Sequence, residues 1–265
     1  MNNKCAPGKN FKDGTCFTLE DLIDISEHFN NRFPNLSFPI KKDKKYLLKH
    51  LTSKMKNKYN CNDQMCWINT NFIKSMKNTD ITHFSFRPNG PKGKYDWLST
   101  SDINKVMNQY ENKYTDFKFL GAVPYDFEDL PYYEAHNLNI NKLKMSGKKR
   151  IGMVINLDTH DKSGSHWVAF YSDLNKKNIY YFDSFAKKPG DNIYKFSKKF
   201  NNYFGSNNNI EYNKKKHQYK NSECGVYSMN FIIRLLNGET FGNITQNITR
   251  DANMNACRRT YFNKN

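Results

Sequence analysis

Three short segments of alternating apolar residues, separated by polar loops, constrain the fold of this chain most strongly. Ile151–Leu157, His166–Tyr171 and Ile179–Phe182 each place successive side chains on two faces, as a half-buried strand does. Because the loops between them are short, we expect adjacent strands of one sheet. Helical apolar spacing over 103–110 and 224–236 predicts helices that pack on this sheet. The sequence therefore predicts an α+β fold.

The first part of the chain has the pattern of a helical module. Residues 16–30 predict a helix that Thr18 caps, with Asp21 completing a capping box. Residues 62–76 form a second helical pattern, and a lysine-rich stretch lies between the two.

A domain boundary is expected where Pro and Gly turn signals gather, in the segment 81–96. We therefore predict a mainly helical N-terminal module over residues 1–95 and a second domain over 96–265. In the second domain, Ser99 and Ser101 are the candidate caps for the helix around 103–110.

The chain carries a formal net charge of +17, which allows two interpretations. Attraction to nucleic acid or to an acidic partner is the functional one. A bias towards Lys, Asn, Ile, Tyr and Phe codons in an AT-rich genome is the other. The basic residues are spread over Lys41–Lys49, Lys144–Arg150 and Lys214–Lys216, which favours solvated surfaces over one binding footprint.

The sequence begins with polar residues and contains no apolar stretch of membrane-spanning length. We therefore expect a protein that is not secreted, makes no membrane contact and stays in a reducing compartment. Free thiols are then expected for all six cysteines. A four-sulfur zinc site from Cys5, Cys16, Cys61 and Cys66 is the alternative, but their spacing departs from paired CxxC motifs, so we expect no metal.

Cys224 begins the most apolar helical pattern in the chain and is followed by Gly225. A thiol at a helix N-terminus lies at the positive end of the helix dipole, which favours the nucleophilic thiolate. Gly225 lets a substrate approach closely because it has no side chain. The alternative for Cys224 is a small buried apolar residue.

Three polar residues upstream could complete a thiol active site. His166 lies where a loop enters a strand, whereas its competitors His160 and His217 lie in a loop and in a lysine run. Asp183 ends the next strand, where a carboxylate could orient the imidazole; a turn-forming Asp is the alternative. Gln218 could join the Cys224 backbone N–H as an oxyanion hole.

Taken together, these residues resemble the clan of cysteine proteases that process ubiquitin-like modifiers. The clan contains the SUMO proteases and the maturation proteases of adenovirus and African swine fever virus. The matching elements are the His166-Trp167 pair, Asp183 after a Tyr-Phe strand, and the run from Gln218 to Cys224-Gly225. Trp97-Leu98 before a helix also matches, although the clan's Asp is Thr100 here, with Asp102 close by.

The resemblance implies a papain-like fold with a mixed central sheet and the permuted order His-Asp-Cys. It implies that Cys224 attacks the carbonyl, His166 is base and then acid, Asp183 orients His166, and Gln218 stabilises the oxyanion. Substrate contacts are expected from Trp167, Gly225 and Trp97. Trp167 would help to form a tunnel that admits only a Gly-Gly-like pair before the cut.

The leading functional hypothesis is an endopeptidase that cuts viral structural polyproteins after Gly-Gly-like sequences during virion maturation. The N-terminal module looks more like that of the large-DNA-virus enzymes than any part of the SUMO proteases. The alternatives are an isopeptidase that removes SUMO or ubiquitin from host proteins, and a non-enzymatic basic virion protein that binds nucleic acid. We expect a monomer in the host cytoplasm, at viral factories, and in the virion. No cofactor is expected, although the adenovirus relative makes activation by DNA or a peptide compatible with this chain.

Overall fold

The computed structural model describes residues 4–263, which form two compact units. The units divide between Pro88 and Asn89, inside the segment of turn signals at 81–96 and seven residues before the domain boundary predicted after residue 95. Within the described part of the chain, no helix is both long and apolar enough to cross a membrane.

Five helices build the first unit. They are α1 Leu19–Arg32, α2 Lys44–Tyr59, α3 Gln64–Asn69, α4 Asn71–Lys74 and α5 Asp80–Phe84, with a 3₁₀ turn at Pro34–Leu36. The predicted start of α1 is confirmed, because the Thr18 hydroxyl accepts from the Asp21 N–H while the Asp21 carboxylate accepts from the Thr18 N–H. The helical prediction for this module is therefore confirmed.

Helix α2 was not predicted, because lysines dominate its sequence and its apolar stripe is narrow. Leu47, Leu51 and Met55 repeat every four residues and are fully buried. The helix predicted over 62–76 is wrong in its continuity. It is two helices, because Thr70 takes an extended conformation after α3 and its hydroxyl caps α4.

The expectation of six free cysteines is wrong for the first unit. Cys5 pairs with Cys16 and Cys61 with Cys66, each pair with Cα atoms 5.4 Å apart, a spacing that suits a disulfide. The expectation rested on cellular compartment, whereas the fold brings each pair into bonding geometry. The same pairing excludes the four-sulfur zinc site, because each sulfur is already bonded to another. Cys224 and Cys257 remain free.

A five-stranded mixed sheet forms the centre of the second unit. Its strands lie in chain order: β1 Phe117–Val123, β2 Arg150–Asn156, β3 Trp167–Asp173, β4 Asn178–Phe182 and β5 Glu211–Tyr212. The pairs β2–β3 and β3–β4 are antiparallel, whereas β1–β2 and β4–β5 are parallel. The three predicted strands and the mixed sheet that the resemblance implied are confirmed.

Six helices surround this sheet: α6 Thr100–Lys113, α7 Ile140–Met145, α8 Asp191–Phe204, α9 Cys224–Leu236, α10 Phe241–Gln246 and α11 Asp251–Tyr261. A 3₁₀ turn occupies Phe127–Asp129. The predicted cap of α6 is confirmed, since the Ser99 side chain accepts from the Asp102 N–H. The α+β fold class is therefore confirmed.

Two apolar cores lie on opposite faces of the sheet. Trp167, Ala169 and Tyr171 of β3 pack with α6 and α9, whereas Val168 and Phe170 pack with α8. Because β3 and β4 are antiparallel, the start of β3 and the end of β4 meet at one edge of the sheet. This edge brings His166, one residue before β3, close to Asp183, one residue after β4.

Candidate active site

Cys224 is the first residue of α9, and its free thiol is 2% exposed. Eleven of the thirteen residues of α9 are buried, which explains the unusually apolar sequence of this helix. The positive end of the helix dipole therefore lies at the sulfur, on a buried element.

His166 and Asp183 form a buried hydrogen-bonded pair at the edge of the sheet. His166 Nε2 lies 2.7 Å from Asp183 Oδ1, and both side chains are almost fully buried. With Nε2 engaged by the carboxylate, Nδ1 is the ring nitrogen left to interact with Cys224, which helps to raise the pKa of His166. The structure thus brings the predicted thiol, imidazole and carboxylate into one chain of contacts.

The imidazole of His166 holds its proton more tightly than an ordinary histidine does. Burial lowers the pKa of His166, but the hydrogen bonds to Asp183 and Cys224 and the charges of both groups raise it to about 9. Near neutral pH the ring is therefore an imidazolium that carries a proton beside the Cys224 side chain.

This raised pKa predicts a loss of stability at alkaline pH. Since the folded-state pKa of about 9 exceeds the unfolded value of 6.5, the contribution of protonated His166 is complete below pH 6.5 and lost as pH rises through 9. Wild type should have a higher free energy of unfolding than His166→Gln, as measured with urea. This difference should decrease by up to about 3 kcal/mol as pH rises over that range. Parallel pH profiles for the two proteins would contradict this expectation.

Asp183 is itself held by neighbours that the sequence did not single out. Its Oδ1 accepts from the Phe185 N–H at 2.8 Å. The side chain of Asn213 brackets its backbone, with Oδ1 accepting from the Asp183 N–H at 3.0 Å and Nδ2 donating to the Asp183 carbonyl at 2.7 Å. Asp183 therefore belongs to a fixed turn after β4, and the carboxylate orients the imidazole from there.

Gln218 is fully buried and reaches the site from the loop before α9. Its Oε1 accepts from the Ser184 hydroxyl at 2.6 Å. Its Nε2 has no hydrogen-bond partner among residues 4–263. A buried amide donor without a partner is costly, and such a group can serve an oxygen that arrives with a substrate.

The two competing histidines lie in other environments. His217 is buried, with Nε2 3.3 Å from the Thr245 carbonyl and Nδ1 accepting from the Thr249 N–H, and burial lowers its pKa. His160 is half exposed, and its hydrogen bond to Asp126 raises its pKa. His160 thus has a carboxylate partner, as His166 does, but within residues 4–263 neither histidine is joined to Cys224.

The three predicted substrate-contact residues differ in exposure. Trp167 is buried, and its Nε1 donates to the Leu98 carbonyl at 3.0 Å. Gly225 packs against Trp167 and Leu98: a Cβ at this position would lie 3.1 Å from Leu98 Cβ and 3.3 Å from Trp167 Cδ1. Trp97, by contrast, is 48% exposed. Gly225 therefore allows close packing of α9 against Trp167, and Trp97 faces solvent.

Two clefts open beside these residues and share Trp97. The first, of about 500 Å³, includes Trp97, Leu98 and Trp167 in its walls. The second, of about 600 Å³, is lined by Tyr95, Trp97, Phe185 and the loop 219–222. The exposed indole of Trp97 thus belongs to both surfaces that a substrate could occupy.

A buried ion pair fixes the residue before the thiol. Glu223 is 1% exposed, and its Oε2 accepts from Arg258 Nε at 2.9 Å. Its Oε1 accepts from the Ser222 hydroxyl and from Asn255 Nδ2. These contacts tie the start of α9 to α11.

The residues that the sequence did not identify in the site are Ser184, Phe185 and Asn213, along with Glu223 and Arg258. Ser184, Phe185 and Glu223 are neighbours of Asp183 or Cys224 in the sequence, and this is the only signal that could have indicated them. Asn213 and Arg258 lie 30 or more positions from the residues they hold, so the fold alone reveals their contacts.

Comparison with known proteins places this chain in a family. Residues 107–265 match the family described as the Ulp1 protease family, C-terminal catalytic domain. A mimivirus protein named as a thiol protease is 38% identical over 283 aligned residues, covering 98% of this chain and 93% of the relative. A cysteine protease of African swine fever virus is 24% identical, covering 90% and 94%.

The fold has a matching solved structure. The crystal structure of the African swine fever virus protease aligns with a TM-score of 0.69 at 18% identity, covering 100% of this chain and 97% of that protein. The family match begins at residue 107, whereas both viral relatives also cover most of the N-terminal unit. The predicted membership is thereby confirmed: this chain is a thiol protease of the Ulp1 family.

Proposed function

We propose that Cys224, His166, Asp183 and Gln218 carry out peptide-bond hydrolysis at this site. The observation that supports this most is the buried chain of contacts from Asp183 through His166 to Cys224 at the N-terminus of α9. The Cys224 thiolate attacks the carbonyl carbon, the carbon–nitrogen bond breaks, and His166 gives its proton to the leaving amine. Water, deprotonated by His166, then cleaves the thioester and releases the acid.

Gln218 stabilises the negative oxygen of the tetrahedral intermediate in this proposal. The free Nε2–H and the backbone N–H of Cys224 are the two donors. They are fixed before the substrate arrives, so little reorganisation accompanies the reaction.

Removing this donor should slow turnover strongly. We expect Gln218→Ala to lower kcat about 10²–10³-fold, the usual cost of one oxyanion-hole donor. Gln218→Glu is the matched variant, because it keeps the size and the acceptor for Ser184 but lacks the donor; it should lose as much. Steady-state cleavage of a fluorogenic peptide measures both, and a kcat within a few-fold of wild type would exclude the role.

The substrate of this proposal is a viral structural polyprotein, cut after Gly-Gly-like sequences during virion assembly. The close packing of Trp167, Leu98 and Gly225 supports it, because a narrow approach to Cys224 favours residues without side chains. Viral origin of the two relatives that span nearly the whole chain supports the setting. Action in the host cytoplasm and the virion belongs to this proposal.

The second candidate is an isopeptidase acting on ubiquitin-like modifiers. Relatives from African swine fever virus named as SUMO-1 cysteine proteases favour it, at 23% identity. The chemistry is the same, and only the acyl-side protein differs. With either substrate, the net charge of +17 supports stimulation of the protease by DNA. This stimulation should disappear at high salt.

One experiment separates the two substrates. The protein is incubated with viral structural proteins and with a SUMO precursor, and the new N-termini are sequenced, with Cys224→Ala as the control. Polyprotein fragments that begin directly after Gly-Gly support maturation. Rapid processing of the SUMO precursor with an intact polyprotein would exclude it in favour of the isopeptidase.

A further inference from the structure

The second cleft, defined by Tyr95, Trp97, Phe185, Tyr219 and Ser222, has no role in the mechanism above. Three of its aromatic side chains are exposed, Tyr95 at 53%, Trp97 at 48% and Tyr219 at 63%. Large aromatic side chains that share one exposed concave surface are typical of recognition sites rather than of ordinary protein surface.

Phe185 places this cleft beside the general acid. Its ring stacks on the His166 imidazole, with centroids 4.7 Å apart and planes at 25°. Since the imidazolium gives its proton to the leaving amine, the substrate chain after the scissile bond departs next to this ring. The other cleft contains Trp167, which packs on Gly225, and therefore suits the acyl side.

The surroundings of the second cleft are cationic. The Lys216 ammonium lies 5.2 Å from the Phe185 ring centroid and 5.0 Å from that of Tyr219, and Lys220 lines the cleft. The carboxylates near the cleft are already engaged. Asp96, between Tyr95 and Trp97, accepts from the Gly93 N–H at 2.8 Å, and Asp183 pairs with His166. Asp251 accepts from the Tyr219 and Lys220 backbone N–H groups, and Glu223 pairs with Arg258.

We propose that this cleft binds the substrate segment on the leaving side of the scissile bond and selects acidic residues there. The aromatic rings contact the extended chain, and Lys216 and Lys220 attract its carboxylates. The inference rests on the proposed protease mechanism and adds a specificity that the Gly-Gly preference does not contain.

Two peptides test the inference. They are identical through Gly-Gly-Ala and continue with Asp-Glu or with Lys-Arg, and a third probe ends in Gly-Gly-aminomethylcoumarin, which has no leaving-side residues. We expect wild-type kcat/KM to be about five- to tenfold higher for the acidic peptide, as two partly exposed ion pairs allow. The double variant Lys216→Glu with Lys220→Glu should abolish or invert that ratio.

The matched control is Lys195→Glu with Lys198→Glu, two exposed lysines of α8 on the opposite face of the sheet. This pair makes the same change in net charge and should keep the wild-type ratio. If wild type cleaves both peptides equally, or if the cleft variant leaves the ratio unchanged, the inference is overturned. Hydrolysis of the coumarin probe in that case still supports the mechanism. Absence of all hydrolysis overturns both.

A separate observation concerns Ser184, which connects Asp183 to Gln218. Its hydroxyl donates to Gln218 Oε1 at 2.6 Å, and its carbonyl accepts from the His217 and Gln218 N–H groups at 2.9 Å each. Because the hydroxyl engages Oε1, the Gln218 amide is held with Nε2 free. We infer that Ser184 is a positioning residue that sets the orientation of the oxyanion donor.

A double-mutant cycle tests this role. Ser184→Ala keeps the backbone contacts, so it should lower kcat about tenfold with KM unchanged and with the same melting temperature within a few degrees. In a Gln218→Ala background the same substitution should cost nothing further. Equal losses of kcat in both backgrounds would overturn the inference, because a merely structural effect does not depend on Gln218.

Discussion

Replacing Cys224 with alanine should abolish peptide cleavage, lowering kcat at least 10⁴-fold, because no other group at the start of α9 can form the thioester. The thiol is 2% exposed, and removing one sulfur atom leaves a small cavity that should cost about 1 kcal/mol of unfolding free energy. Circular dichroism and thermal unfolding should therefore show a folded protein. Turnover of the coumarin probe measures the loss.

Cys257 provides the control for this experiment. It is the other free thiol among the described residues, and burial raises its pKa above that of an ordinary cysteine, which disfavours a nucleophilic role for Cys257. Cys257→Ala should retain wild-type turnover. Activity in Cys224→Ala, or loss of activity in Cys257→Ala, would show that Cys224 is not the nucleophile.

Replacing His166 with alanine should have the next largest effect, a decrease in kcat of about 10³–10⁴-fold. The variant loses both the base that activates Cys224 and the acid that protonates the leaving amine. It also leaves the Asp183 carboxylate buried without its 2.7 Å partner, so some loss of stability accompanies the loss of rate.

Alkylation separates the catalytic effect from the structural one. Iodoacetamide should modify Cys224 more slowly at pH 6 in His166→Ala than in wild type, because the thiolate has lost its imidazolium partner. His217→Gln is the control histidine variant, since His217 contacts Thr245 and Thr249 rather than the thiol. An inactive His217→Gln with an active His166→Ala would show that His217 is the base.

The sheet and the candidate site could be predicted largely because their signals are local. Alternation over Ile179–Phe182 predicts a strand, and Asp183 then necessarily lies at its end. The strand β1 was missed, since Gly121 interrupts its alternation where the register of β1 against β2 shifts. Pairing with β2 stabilises this segment as a strand, and no local sequence pattern indicates that pairing.

Other features depend on contacts between distant parts of the chain. The two disulfides cannot be predicted from cysteine spacing or expected compartment, because only the fold brings each pair of cysteines into bonding geometry. Asn213 meets Asp183 from 30 positions away. The order of the candidate residues His166, Asp183 and Cys224 could be predicted because each lies at or next to the end of a regular element. Gln218 lies in a loop and was indicated by its place six residues before Cys224, whereas the residues that hold the site in place could not be predicted.

Covalent capture with a substrate-like electrophile identifies the nucleophile directly. A peptide ending in Gly-Gly-vinyl sulfone is incubated with the protein, and peptide mapping by mass spectrometry locates the adduct. We expect one adduct per chain, on Cys224, formed slowly or not at all in His166→Ala. An adduct on Cys257, or full inactivation with Cys224 unmodified, would contradict this assignment.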